Sequence, residues 1–254
     1  IVVIESFRLE AIGSTAVRVA VPGGMTQRQM LEKLRAIDPK GVATFNHVYE
    51  PAGSASVLKV SSVTPPARAA AGRRTKVGLI DAGVNEKHPL LSRVSVTARA
   101  FDARASRAEH GTAVASRIAE VAPGAAVYAA NVFTVAADGQ EIATADAIAR
   151  GLDWLAKMRV PVINLSLTGP ANPILEAMAS RLSAQGHILV AAVGNEGPRG
   201  APQYPAAYQN VVGVTAVDAK NQVYLYANQG SYVDFAARGV DARVADQNGA
   251  VDTV

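Results

Sequence analysis

The sequence predicts an α/β fold, a mostly parallel sheet with helices on both faces, preceded by a small α+β unit. Three observations predict it. From residue 76 onward, short apolar segments alternate with longer stretches of helical periodicity, the pattern of strands joined by crossover helices. Hydrophobic residues make up 49% of the 254 and charged residues 18%, a composition that supports a sizeable core and argues against general disorder. Composition also changes near residue 51, where Pro, Ala, Ser and Gly become frequent.

The segment "IVVIESFRLEAIGSTAVRVAVPGG" alternates apolar and polar residues as half-buried strands do, with Gly at the turns. "TQRQMLEKLRAI" (26–37) sets Met30, Leu31, Leu34 and Ile37 at helical spacing behind a Thr cap. "GVATFNHVYEP" (41–51) reads as one more strand, ended by Pro51. Residues 1–51 are therefore expected to form one small domain. Residues 52–75 show apolar alternation only at 57–60 and read as an exposed, cleavable linker. The main domain is 76–254, with buried strands at 76–81, 126–133, 161–167, 187–194 and 211–217. Helices are expected at 110–120, 141–157 and 173–185. Right-handed crossovers gather function at the carboxyl ends of such strands. No internal repeat or low-complexity segment interrupts the pattern.

Composition excludes several functions. The net charge of +4 is spread along the chain, and Arg73–Arg74 is its basic doublet near a loop-like stretch. Without interleaved aromatics this does not make a nucleic-acid surface. No cysteine is present, which excludes disulfides, thiolate zinc sites and a cysteine nucleophile. The longest purely apolar run is Ile188–Val193, far short of the roughly 20 residues of a membrane span. No acidic cluster resembles an oxygen-rich calcium loop, and no metal ligands are assigned. The opening "IVVIESF" has neither an initiator Met nor a signal-peptide pattern, so further chain is expected before it.

Three polar residues occupy strand-end or helix-start positions of the main domain. Asp81 ends the first buried strand, His110 opens a helix in "EHGTAVAS", and Asn195 follows the strand "ILVAAVG". Each has an ordinary alternative: a turn-forming Asp before Ala-Gly, a polar helix-start residue, a left-handed turn residue. Together they suit acyl transfer. An imidazole takes a nucleophile's proton, a carboxylate fixes its tautomer, and an amide donates to the developing oxyanion. His47 and His88 read as structural or exposed.

"VGLIDAGVNEKHP", "HGTAVAS" and "INLSLTGP…ILVAAVGNEGP" resemble the Asp, His and oxyanion-Asn blocks of the subtilisin-like serine proteases, over residues 76–254. The resemblance implies a subtilisin-like fold and an extracytoplasmic, secreted endopeptidase with protein or peptide substrates. It makes Asp81 the triad carboxylate, His110 the base and Asn195 the oxyanion donor. Ser166, Leu167, Thr168 and Gly169 would pair with substrate backbone. Ala191, Ala192 and Gly194 would form the opposite wall, with Gln203 at the pocket floor. The family usually has Gly where Thr168 stands. Residues 1–51 resemble the family's propeptide, a ferredoxin-like unit that assists folding and then acts as an intramolecular inhibitor, so an unprocessed precursor (a zymogen) is expected, cut within 52–75. The family's calcium loop after the catalytic His has no counterpart in "HGTAVASRIAEVAPGAAVYAANV", and Ala82 replaces the usual Ser or Thr.

The family's nucleophile lies in a Gly-Thr-Ser-x-Ala-x-Pro block, which residues 1–254 lack. The segment "GSYVDFAARGVDARVADQNGAVDTV" resembles the approach to that serine, so the serine is expected beyond Val254, on a continuing C-terminal segment or on a second chain. The alternative expectation is a non-catalytic domain that binds peptides or a partner protein along the 166–169 edge.

Overall fold

The computed structural model describes residues 1–53, 75–102, 104, 106, 109–245 and 251–253. Strands β1 (Val2–Leu9) and β2 (Ser14–Ala20) pair as an antiparallel hairpin. Helix α1 (Gln27–Ile37) starts where its cap is satisfied on both sides. The Thr26 hydroxyl accepts from the Gln29 N–H, and the Gln29 side chain accepts from the Thr26 N–H, two helix-end donors satisfied reciprocally. Of the expected strand at 41–51, only β3 (Val48–Pro51) forms. The expected linker lies outside the described residues from 54 to 74, and its first two residues, Ala52 and Gly53, follow the end of β3.

The main domain runs β4 (Lys76–Asp81), β5 (Ser95–Ala100), α2 (Glu109–Val121), β6 (Ala126–Asn131), β7 (Phe133–Val135), β8 (Glu141–Thr144) and α3 (Ala145–Lys157). It continues with β9 (Val162–Leu165), β10 (Leu167–Thr168), α4 (Pro173–Ala184), β11 (Ile188–Ala192), β12 (Val212–Val217), β13 (Phe235–Arg238) and the hairpin β14 (Arg243–Ala245) and β15 (Val251–Thr253). Seven strands form one parallel sheet in the order β13-β12-β11-β9-β4-β6-β5. Period-2 alternation sends neighbours to opposite faces. Leu79 joins Leu91, Ala115, Ala119 and Ala129 under α2, while Ile80 joins the larger core with Ile148, Leu152 and Leu155 of α3 and Met178 and Leu182 of α4.

Two differences from the sequence expectation matter for the site. Residues 141–144, expected to open the helix, form β8 instead, and 126–133 divides into β6 and β7. The reason is a second, antiparallel sheet of order β10-β3-β8-β7. In it β3 lies between β8 and β10, with Tyr49 opposite Ala143, Pro51 opposite Leu167 and Glu50 opposite Thr168. The hairpin of residues 1–20 sits on α3: the Ala11 N–H donates to Asp153 Oδ1 at 2.8 Å, and Arg18 and Arg150 bridge Glu5 and Asp146.

Candidate active site

The parallel strand β4 delivers Asp81 to its carboxyl end, where the side chain is 0% exposed. Asp81 Oδ1 accepts from the Ala82 N–H at 2.6 Å and stands 2.6 Å from His110 Nδ1. A carboxylate only accepts, so Nδ1 carries a proton, and in the neutral imidazole Nε2 presents a lone pair. Asp81 Oδ2 is buried with no hydrogen-bond partner among the described residues, and Ala82 brings no hydroxyl to it.

His110 lies in the first turn of α2, and that turn is locked onto the loop after β4. The Asn85 N–H donates to Thr112 Oγ1 at 2.8 Å. Gly111 is required by space: a β-carbon there would stand 2.4 Å from the Ala82 carbonyl oxygen and 2.5 Å from that of Gly83. The Gly after His110 thus permits the backbone approach that brings imidazole and carboxylate together. The Asp81 carboxylate raises the His110 pKa above its ordinary value. Burial opposes it, while the Asp81 hydrogen bond and the charges of Glu141 and Glu109 add to it. Glu141, at the start of β8, is itself raised, chiefly by burial and then by the neighbouring carboxylates of Asp81 and Glu109.

The strand β3 leads into this constellation. The Ala52 N–H donates to the Ser166 carbonyl at 3.0 Å, and the Gly53 N–H turns back to the Pro51 carbonyl at 3.1 Å. A β-carbon built on Gly53 would stand 3.4 Å from His110 Nε2, so the free imidazole nitrogen faces the backbone just after Ala52. Ser166, Leu167, Thr168 and Gly169 all lie along this strand's path. Leu167 and Thr168 form the edge β10, the Ser166 N–H is held by the Ile80 carbonyl, and the Ser166 hydroxyl accepts from the Asn164 amide. Position 169, rather than 168, has no room for a side chain, because a β-carbon there would meet the Tyr49 ring at 2.6 Å.

The other predicted residues stand on the neighbouring strand. Ala191 and Ala192 end β11 between β9 and β12. Gln203 packs under Gly194, its Cγ 2.8 Å from where a β-carbon would lie. Asn195 is exposed in the loop that follows. That loop is shaped by Asn228, fully buried, whose side chain accepts from the Glu196 N–H and donates to the Ala201 carbonyl. Sequence reasoning missed Asn228, Glu141 and Asn172. Only Asn172, ahead of Pro173, carried a local signal, as the cap of α4. Among the described residues no group of three or more His, Asp or Glu side chains is placed to hold a metal ion. No described helix is long and apolar enough to cross a membrane.

Residues 72–253 match the family described as "Subtilase family". Subtilisin E of Bacillus subtilis (strain 168) is 32% identical over 185 residues, which cover 66% of this chain and 48% of that protein. The chain thus matches about half the length of this relative. Subtilisin Savinase of Lederbergia lenta is 32% identical over 200 residues, 72% of each chain. A solved structure of the prenylagaramide maturation protease PagA shares the fold, with a TM-score of 0.62 at 24% identity over 71% of this chain and 68% of that one.

Proposed function

The chain belongs to the subtilase family, and from that premise we propose that it is part of a subtilisin-type serine endopeptidase held in its precursor form. The observation that carries the reading is the 2.6 Å contact of Asp81 Oδ1 with His110 Nδ1, whose Nε2 faces the peptide continuing from β3. In the proposed reaction a serine beyond Val254, or on another chain, attacks a peptide carbonyl carbon. His110 Nε2 takes the serine proton, while Asp81 holds the tautomer and offsets the imidazolium charge. Asn195 donates to the oxyanion as it forms. The imidazolium then protonates the departing amine, and water releases the acyl group by the same steps in reverse roles.

Substrate would bind as β3 does, adding a strand against Ser166, Leu167, Thr168 and Gly169, with Ala191, Ala192 and Gly194 as the facing wall. Residues 1–51 then act as the intramolecular inhibitor, and the cut is assigned to Ala52–Gly53 because Gly53 lies beside His110 Nε2. Secretion accompanies this reading. The test is a fluorophosphonate probe on the full-length protein: one serine is labelled, and His110→Ala abolishes labelling and lowers kcat by at least about 10⁴-fold. Absence of labelling after residues 1–52 have been released would overturn the proposal.

A second reading is favoured by the strand addition itself. β3 is seated on β10 by backbone pairing, as a bound peptide would be, and a non-catalytic domain could hold peptides or a partner protein in this way. It predicts peptide binding without labelling or cleavage.

A further inference from the structure

Asn195 stands exposed between Gly194 and Glu196, in a loop without regular structure. A side chain so placed is a preorganised donor only if something else fixes the backbone beneath it. Both peptide units flanking Asn195 are tied to one residue far along the chain, Asn228. The Asn228 N–H donates to the Gly194 carbonyl at 3.0 Å, and Asn228 Oδ1 accepts from the Glu196 N–H at 2.7 Å. These two bonds orient the peptide planes before and after Asn195, and so its φ and ψ, while leaving its side chain free. A third bond, from Asn228 Nδ2 to the Ala201 carbonyl at 2.9 Å, ties the same amide to the far end of the loop. One partner is an N–H and the other a carbonyl, so a carboxamide, with an acceptor and a donor on one short stem, satisfies both. The space is cut to fit it. Asn228 is 0% exposed, and a β-carbon on Gly200 would stand 2.8 Å from Nδ2, one on Gly194 3.2 Å from Oδ1. The Gly197 N–H also donates to the Tyr226 carbonyl at 2.8 Å, so the segment 226–228 runs along the loop as a splint.

We propose that Asn228 is the positioning residue of the oxyanion site, bracketing Asn195 so that its amide meets the developing charge already in place. The proposal rests on the endopeptidase reading for the role of Asn195, and on the bonds of Asn228 for the bracket. Asn228 does not touch the reacting atoms; it acts through Asn195. A donor on a loose loop must be ordered as the transition state forms, whereas a donor held in advance costs no reorganisation at that moment. Loss of the bracket therefore weakens transition-state binding and spares the ground state, in which the substrate carbonyl does not yet carry the charge. Removing an oxyanion donor outright costs about 10²–10³ in kcat, and misplacing a catalytic group by about 1 Å costs about 100-fold. Asn228→Ala keeps the main-chain bond to Gly194 but frees the Glu196 N–H and the Ala201 carbonyl. Its expected loss is about 10- to 100-fold in kcat at unchanged KM.

Two measurements test it. In the full-length protein after release of its N-terminal segment, Asn228→Ala, Asn195→Ala and the double variant are compared on a quenched fluorogenic peptide carrying the chain's own 49–54 sequence, Tyr-Glu-Pro-Ala-Gly-Ser. If Asn228 acts through Asn195, its replacement costs less than about twofold in kcat once Asn195 is already Ala. The same loss in both backgrounds, or a loss in KM rather than kcat, overturns the proposal, because a general structural defect acts whether or not Asn195 is present. In the chain itself, amide hydrogen exchange at Glu196 is expected to speed up at least about tenfold in Asn228→Ala, with protection of β11 unchanged. Equal exchange overturns the bracket. Asn228→Ser leaves a smaller cavity and takes both tests where the Ala variant does not fold. If the parent cuts no peptide while Glu196 still loosens in the variant, the endopeptidase reading fails, the catalytic part of the proposal fails with it, and Asn228 stands as a loop anchor alone. If the parent cuts and the two losses simply multiply, the endopeptidase reading stands and the role given to Asn228 falls.

Discussion

Gly111→Ala tests whether the helix bearing His110 is positioned by backbone contact. The added methyl would lie 2.4 Å from the Ala82 oxygen, and ordinary contact begins at 3.4 Å, so 3.4 − 2.4 ≈ 1.0 Å must open. Both facing atoms are main-chain carbonyls and cannot swing aside as a side chain would. The gap opens between the residue after Asp81 and the residue after His110, across the 2.6 Å contact of the pair. Overpacking of this kind costs about 1–3 kcal/mol, and Ala recovers up to about 1 kcal/mol over Gly in a helix. A net loss of about 1–2 kcal/mol follows, read as a lower urea midpoint at unchanged m-value for this chain. Proton NMR should show the His110 Nδ1–H resonance shifted as its bond to Asp81 lengthens. In the full-length protein, misplacement by about 1 Å lowers kcat about 100-fold. A variant as stable as the parent, with the Nδ1–H resonance unmoved, would refute the claim that this glycine sets the pair's geometry.

Glu141→Gln removes a carboxylate that raises His110. On the proposed mechanism catalysis needs neutral Nε2, so activity would rise with pH through the His110 titration, and the rising limb of kcat/KM should move to lower pH. An unmoved or alkaline-shifted limb contradicts the role given to Glu141. Asp146→Asn cuts the link from α3 to Arg18 and Arg150 and should weaken docking of residues 1–20 by about 1–2 kcal/mol, seen as faster amide exchange in β1 and β2. Burial works against the Asp146 carboxylate, but hydrogen bonds from Thr144 and Asn46 and the charges of Arg150 and Arg18 prevail and hold it below its ordinary 3.8. A depressed carboxylate stabilises above its unfolded pKa and loses that contribution as pH falls through the native value. Docking in the parent should therefore weaken below about pH 4, and less so in the Asn variant. Ala82→Ser adds a hydroxyl to the residue after Asp81, whose buried Oδ2 has no partner among the described residues, and should raise the urea midpoint by an equivalent of about 0.5–1.5 kcal/mol; an unchanged or lowered midpoint would show that the hydroxyl does not serve that oxygen.

The parts of the fold that were legible are those with a local cause. Continuous apolar runs marked β4, β9, β11 and β12, because a parallel strand is buried on both faces. Thr26 announced α1 as its cap, and the structure adds Gln29 as the reciprocal partner. Asp81 and His110 were legible as a pair because strand ends and helix starts converge in such a sheet. What stayed hidden has non-local causes. "EIAT" at 141–144 precedes a strong helical pattern and becomes a strand only by pairing with β3 and β7. β5 and β13 are largely exposed edge strands, "SVTARA" and "FAAR", with no apolar run to betray them. The nearness of Glu141 to His110 depends on where β8 is carried by that second sheet. Likewise, nothing within "HVYEP" announces that Tyr49 will be enclosed while both its neighbours remain exposed.

The same sheet explains why the amino-terminal residues and the cleft form one system rather than two adjoining ones. Asp146 is the common node. It binds Arg18 of the hairpin and the Asn46 side chain just ahead of β3, and its own N–H returns to Asn46 Oδ1. One residue earlier the Ala145 N–H donates to the His47 carbonyl. The hairpin's ion pairs and the strand in the cleft are thus fastened to adjacent residues at the start of α3, and docking of either presents the other at high effective concentration, on the order of millimolar for a short tether. On the proposed reading, hydrolysis at Ala52–Gly53 severs the chain beyond β3 but leaves every one of these contacts on the N-terminal piece. Cutting is then not release. The ion pairs are partly exposed and individually weak, whereas Tyr49 is fully enclosed and its hydroxyl donates to the Pro170 carbonyl, so this one side chain holds the segment in the cleft more firmly than any single ion pair.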